Sequence, residues 1–119
     1  PVYILKDDQI LISISPRDFS FIVESHISEI FAVFSRFRVK VNIAQTSAIN
    51  YSVCVDCNKR HLTHLIRALK GKFKLRYNDG LQLITIRHFT DEAIDNLLRG
   101  KKVYMEQRNR STAQFLVRP

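Results

Sequence analysis

Four residues close together in the chain carry side chains that bind metals or exchange electrons: Cys54, Cys57, His61 and His64. The two cysteines form a C-x-x-C, a pair suited to zinc ligation or to thiol–disulfide chemistry. The spacing argues against both. A zinc finger places about a dozen residues between its last Cys and first His, and here three intervene. On a helix starting near residue 59, His61 flanks the apolar stripe and His64 lies nearly opposite it, so the imidazoles do not converge. A redox pair opens a helix after a strand, as this one roughly does, but it lacks the usual small or proline spacer and a βαβ setting. Cys54 is read as a small strand residue, and no metal site is expected.

No catalytic set assembles either. The 11 carboxylates are scattered over loops and helix starts, where capping and solvation explain them. Gly71, Gly80 and Gly100 each fall at an element boundary, so no glycine-rich phosphate loop exists. His88 stands alone before Thr90. No nucleophile lies at a defensible spacing from a base.

The net charge is +8 and the isoelectric point is near 9.9. Such a balance permits binding to nucleic acid or to an anionic membrane without requiring it. The basic, aromatic run 70–77 (KGKFKLRY) loosely matches the strand signature of RNA-recognition domains. It fails on placement, because that signature belongs on a third strand and this segment is the fourth. The third strand offers only Tyr51, which alternation puts on the buried side. No nucleic-acid partner is therefore expected, and an RNA-binding module is kept only as an alternative.

The elements that must position any site follow from periodicity. With 119 residues, 45% apolar and 25% charged, the composition is that of a globular chain. No apolar run approaches the roughly 20 residues that cross a bilayer, so no membrane partner is expected. Two cysteines suit a reducing, cytoplasmic setting. The chain begins at Pro1 rather than Met, as expected of a segment from a longer protein.

Residues 2–5 form a short apolar strand ended by Lys6-Asp7-Asp8. In 9–15, Ile10, Ile12 and Ile14 alternate with Ser13 and Ser15, a half-buried strand stopped by Pro16. Residues 17–22 read as a loop with Phe19 and Phe21. Ile27, Ile30, Phe31 and Phe34 define a helix over 24–37, with Ser25 or Glu24 as its cap. Strands at 39–43 and 49–55 flank the polar break Gln45-Thr46-Ser47 as a hairpin. A second helix spans 59–69, capped by Asn58 and ended by Gly71. A fourth strand, 73–77, runs into Asn78-Asp79-Gly80, which reads as a turn. The order then restarts: strand 81–86, a helix 91–99 capped by Thr90, and strands 103–107 and 112–117.

The expected fold is α+β: one complete βαββαβ unit and one truncated copy, each an antiparallel sheet with helices on one face. The truncated copy borrows 2–5 as its missing strand, so the first unit is inserted in the second. The boundaries are 9–79 for the complete unit and 1–8 plus 80–119 for the partial one. Open sheet edges favour pairing with a second copy.

Two stretches carry a family likeness. Val41 to Asp56 (VNIAQTSAINYSVCVD) resembles the pattern V-D-x-I-x-T-S-E-x-x-I-S-x-x-V-D of aspartate kinase regulatory regions. Residues 103–118 resemble the last hairpin of some aspartate kinases, and 27–39 is similar to their first regulatory helix. The resemblance implies ferredoxin-like ACT domains, one complete and inserted in a second, truncated one, following an amino-acid-kinase domain that lies outside this chain. It implies a bacterial parent that uses Mg-ATP to phosphorylate the β-carboxylate of L-aspartate on the route to lysine, threonine and methionine. This fragment would hold no catalytic residue and no cofactor.

ACT domains of this kind pair across a homodimer and bind an end-product amino acid between subunits. Residue by residue, the resemblance places effector contacts at Ser25, His26 and Ile27 on the helix start and at Val41 and Asn42 on the second strand. Thr46 and Ser47 come from the facing subunit. The physics suits such a site, since free N–H groups at a helix start accept a carboxylate. This chain departs from the pattern in three places: Ser25 replaces a glycine, Asn42 replaces the amine-holding Asp, and Ala48 replaces a Glu. Two lost carboxylates argue against a cationic effector such as lysine. The alternative is a purely structural dimerisation domain.

Overall fold

A computed structural model describes all residues, 1–119, as six strands and three helices. They are β1 (Val2–Pro16), α1 (Glu24–Arg36), β2 (Val41–Thr46), β3 (Tyr51–Asp56), α2 (Lys59–Lys70), β4 (Phe73–Arg87), α3 (Asp91–Leu98), β5 (Lys102–Arg108) and β6 (Thr112–Arg118). The chain divides into two compact units, Ile10–Asp79 and Pro1–Gln9 with Gly80–Pro119. The fold is α+β and ferredoxin-like, with a complete βαββαβ unit inserted in a truncated one.

In the inserted unit the strand order is β2-β3-β1-β4, which leaves β2 as an outer strand. Alternation makes one face of this sheet apolar. Ile10, Ile12 and Ile14 of β1 join Tyr51, Val53 and Val55 of β3 and Phe73 of β4. Onto them pack Ile30 and Phe34 of α1 and Leu62, Leu65 and Leu69 of α2, residues spaced so that one stripe of each helix is buried. Asn58 caps α2 by accepting from the His61 N–H at 3.3 Å. The expected cap of α1 is not formed. Val23 occupies that position, and the ring Nδ1 of His26 accepts from its N–H at 3.1 Å. Glu24 and Ser25 already lie inside the helical turn, one and two positions too late to cap it.

The outer unit orders its strands β1-β4-β6-β5. Its core unites Ile84 and Ile86 of β4, Ala113, Phe115 and Val117 of β6, and Ile94 of α3. Thr90 caps α3 by accepting from the Ala93 N–H at 3.1 Å.

Two predicted breaks are absent. Residues 2–5 and 9–15 belong to one strand, β1, which continues through Lys6-Asp7-Asp8. Asn78-Asp79-Gly80 does not turn the chain, because β4 continues from Phe73 to Arg87. Each break is reduced to one residue with positive φ, Asp8 at 53° and Gly80 at 66°. A single left-handed residue kinks a strand without reversing it, whereas a tight hairpin of the primed type I needs two in succession.

Candidate functional site

The seven effector positions implied by the family likeness all lie in the inserted unit, in two groups at opposite ends of β2. The first group surrounds the start of α1. Ile22 donates its N–H to the Ala48 carbonyl at 2.8 Å, which ties the β1–α1 loop to the β2–β3 turn. Ser25 is exposed and Ile27 packs against the core. The His26 ring meets Phe73 edge-on with centroids 6.0 Å apart, so His26 is held in place at both its nitrogen and its ring. A cleft of about 260 Å³ opens beside it, lined by Arg17, Asp18, His26, Lys72 and Phe73 among others. Thr46 closes β2 at this end, opposite Tyr51. The Ser47 hydroxyl donates to Asn50 Oδ1 at 2.9 Å and accepts from the Asn50 N–H at 3.1 Å. Ser47 is thus engaged by its own turn, an arrangement that satisfies a tight reversal locally.

The second group lies at the start of β2. Helix α1 leads back across the sheet, and Val39 donates to the Phe34 carbonyl at 2.9 Å before β2 begins. Val41 pairs with Val55, and a bulge between Val41 and Ile43 sets Asn42 off the regular ladder. From there the Asn42 amide donates to Asp56 Oδ1 at 2.8 Å. Beside this pair is a cleft of about 170 Å³ lined by Arg38, Lys40, Asp56, Asn58 and His61, among others. Two cations, a carboxylate and the first turn of α2 therefore converge at one end of the sheet. Asn42 and Ser47 are five positions apart, about 16 Å at the rise of a strand. Within one chain the two groups do not meet.

Sequence reasoning missed Arg38, Lys40, Asp56 and His61 as a cluster. The signal was present in the hairpin: a short turn after Thr46 sets the opening of β2 against the end of β3. The cysteine motif is placed otherwise. Neither cysteine is in a disulfide: Cys54 is buried on β3 and Cys57 half-buried just after it. His64 stacks on Phe37 at 6.1 Å. No three His, Cys, Asp or Glu residues gather as a metal site would require. Tyr51 is 3% exposed, so β3 presents no aromatic ring for stacking a base. Burial raises its phenol above the ordinary range. No helix is long and apolar enough to cross a membrane.

Two nested ferredoxin-like units with this connectivity define an ACT-type fold. Among solved structures, that is the fold of aspartate kinase regulatory domains. One such structure is a protein from Porphyromonas gingivalis W83 described as a C-terminal regulatory domain of aspartate kinase. It matches with a TM-score of 0.82 and 23% identity, over 98% of this chain and 85% of that one. E. coli aspartokinase III, solved with lysine and aspartate, matches with a TM-score of 0.79 and 16% identity over 99% of this chain. This chain spans 29% of that enzyme's length. The ligand-free regulatory subunit of aspartate kinase from Thermus thermophilus matches with a TM-score of 0.72 and 12% identity, over 98% of this chain and 85% of that one. No family model and no curated protein matches the sequence.

Proposed function

We propose that this chain is the regulatory region of a bacterial, cytoplasmic aspartate kinase, a homodimerising module that senses an end-product amino acid. The parent enzyme would transfer the γ-phosphate of Mg-ATP to the β-carboxylate of L-aspartate, with every catalytic group outside this chain. The observation that carries the reading is the nested topology, matched over nearly the whole chain by regulatory domains of that enzyme.

The arrangement around β2 supports an effector site shared between two copies. β2 is an outer strand with a free edge. If two copies pair antiparallel along it, a two-fold axis sets the start of one β2 beside the end of the other. Asn42 and Val41 of one subunit then face Thr46 and Ser47 of its partner, and the 16 Å gap within each chain is bridged between chains. The polar groups suit a zwitterion. Arg38 and Lys40 match an α-carboxylate, while Asp56 stands where an ammonium group needs a carboxylate. The charge lost by having Asn42 is thus restored from the neighbouring strand. Ser25, His26 and Ile27 supply the helix-start end of the same shared site.

Calorimetric titration with lysine, threonine and methionine tests this, alongside sedimentation to establish the dimer. Binding of one amino acid, weakened by Asp56→Asn, is the expected result. Silence from all three on a verified dimer leaves the second reading, a structural dimerisation domain. That reading is favoured by the Ser47 hydroxyl being engaged within its own turn.

A further inference from the structure

The sheet of the inserted unit has a second face, turned away from α1 and α2. On β1, Ser13 and Ser15 alternate with the core residues Ile12 and Ile14. On β4, Lys74 and Arg76 alternate with Phe73 and Leu75, which pack into that core. These four side chains form the floor of a groove of about 620 Å³, within the size range of small-ligand sites. None of its lining residues is acidic. Lys74 and Arg76 have neither an ion-pair nor a hydrogen-bond partner in the protein. A third cation, Arg17, commits Nε and Nη2 to the Lys70 carbonyl at 2.9 and 2.6 Å, which fixes its guanidinium at the groove and leaves Nη1 free.

The rim is of the opposite character. Phe19 is 90% exposed and Ile49 is 60% exposed, and both line the groove. Phe19 also adopts φ of 61°, a conformation that bulky residues rarely take. A phenyl ring fully in water on a strained backbone is doubly unfavourable for stability, and strain of this sort collects at ligand-binding segments.

We propose that this groove binds a nucleoside phosphate, with the base against Phe19 and Ile49 and the phosphates on Lys74 and Arg76. Side chains two apart on a strand stand about 7 Å from each other. The long side chains of Lys74 and Arg76 bring two positive charges to one anion, which favours a multiply charged phosphate chain over a singly charged carboxylate. Ser15 offers a hydroxyl donor from the adjacent strand, while the Ser13 hydroxyl is shared with that of Ser52 at 3.3 Å. The exposed Phe19 ring gives the base a stacking surface, with Ile49 adding apolar area beside it. The groove shares Pro16 and Arg17 with the cleft beside His26 and nothing with the cleft at the start of β2, and Lys74, Arg76 and Phe19 line neither.

Titration of the full chain with ATP, AMP, pyrophosphate and adenosine, followed by calorimetry, is the test. ATP is expected to bind more tightly than AMP, pyrophosphate more weakly than ATP, and adenosine least. Raised salt weakens all but adenosine. The double variant Lys74→Ala/Arg76→Ala lowers ATP affinity about tenfold or more. Both positions are exposed, so the fold survives, and circular dichroism verifies it. Phe19→Ala weakens ATP while leaving pyrophosphate unchanged. Equal ATP affinity in the double variant, or no binding of ATP by the wild-type chain, overturns the proposal. So does tighter binding of a single-stranded oligonucleotide lost with the same lysine and arginine, which would make the face an RNA surface. Amino-acid binding is unchanged in these variants, so failure here is distinct from failure of the regulatory reading.

Discussion

Asn42 and Asp56 are joined across the opening of the β2–β3 hairpin, amide nitrogen to carboxylate oxygen, at 2.8 Å. The bond puts a negative charge beside a position where the residue type alone offers a neutral amide. Its surroundings are basic, with Arg38 and Lys40 in the same cleft. Asp56→Asn removes the only carboxylate lining that cleft. The variant is expected to lose about tenfold in amino-acid affinity, the scale of one ionic contact, while its urea midpoint moves little because the pair is at the surface. Calorimetry and a denaturation curve read the two effects separately.

Helix capping discriminates between two positions. Asn58 accepts from the His61 N–H and Ser25 makes no such bond. Asn58→Ala is expected to cost about 1 kcal/mol, and Ser25→Ala less than about 0.5 kcal/mol, both measured by urea unfolding. A comparable loss at Ser25 would mean that α1 starts two residues later than described, at His26.

Gly80 and Gly71 separate backbone conformation from space. Gly80 has φ of 66° in the middle of β4, while Gly71 has φ of −64° with nothing within 4 Å of an added Cβ. Gly80→Ala is expected to destabilise by about 1–2 kcal/mol, the cost of a left-handed L-residue. Gly71→Ala is expected to be neutral or to stabilise by up to about 1 kcal/mol. Thermal or chemical unfolding distinguishes the two signs.

Each unit has a phenylalanine that fills its core, Phe73 in one and Phe115 in the other, 1% and 0% exposed. Replacement of either by Ala leaves a cavity and is expected to cost about 3–5 kcal/mol. Hydrogen exchange on the Phe73→Ala variant locates the loss, with protection falling first in α1, α2 and β3.

Tyr104 and Tyr51 titrate in opposite directions from the ordinary phenol value of 10.0. A hydrogen bond from Arg118 Nε to the Tyr104 oxygen, 3.1 Å long, favours the phenolate and lowers its value, with the charges of Arg118 and Lys102 adding to it. Burial disfavours the phenolate of Tyr51 and raises its value. The stabilisation linked to Tyr104 is therefore present above the unfolded value and is lost as pH falls through the folded one. That linked to Tyr51 is present below 10.0 and is lost as pH rises through its folded value. Ultraviolet phenolate titration should show one early and one late tyrosine. Arg118→Ala moves the early one upward, and Tyr51→Phe removes the late one.

The sequence by itself determined the elements and their order. Ile10, Ile12 and Ile14 alternate at the strand period, and Leu62, Leu65 and Leu69 recur at the helix period, so each segment can bury only one face, whatever lies around it. The caps at Asn58 and Thr90 were legible for the same reason, since their partners lie three residues away. Tertiary structure alone decided where the chain keeps going. Lys6-Asp7-Asp8 and Asn78-Asp79-Gly80 have turn chemistry, yet in both places pairing along a neighbouring strand outweighs local preference and leaves a single left-handed residue. It alone also set Asn42 against Asp56 and split the family-like positions between the two ends of β2. Those relationships depend on register and on which strand lies outermost, quantities fixed by burying both cores at once and absent from any local run of residues.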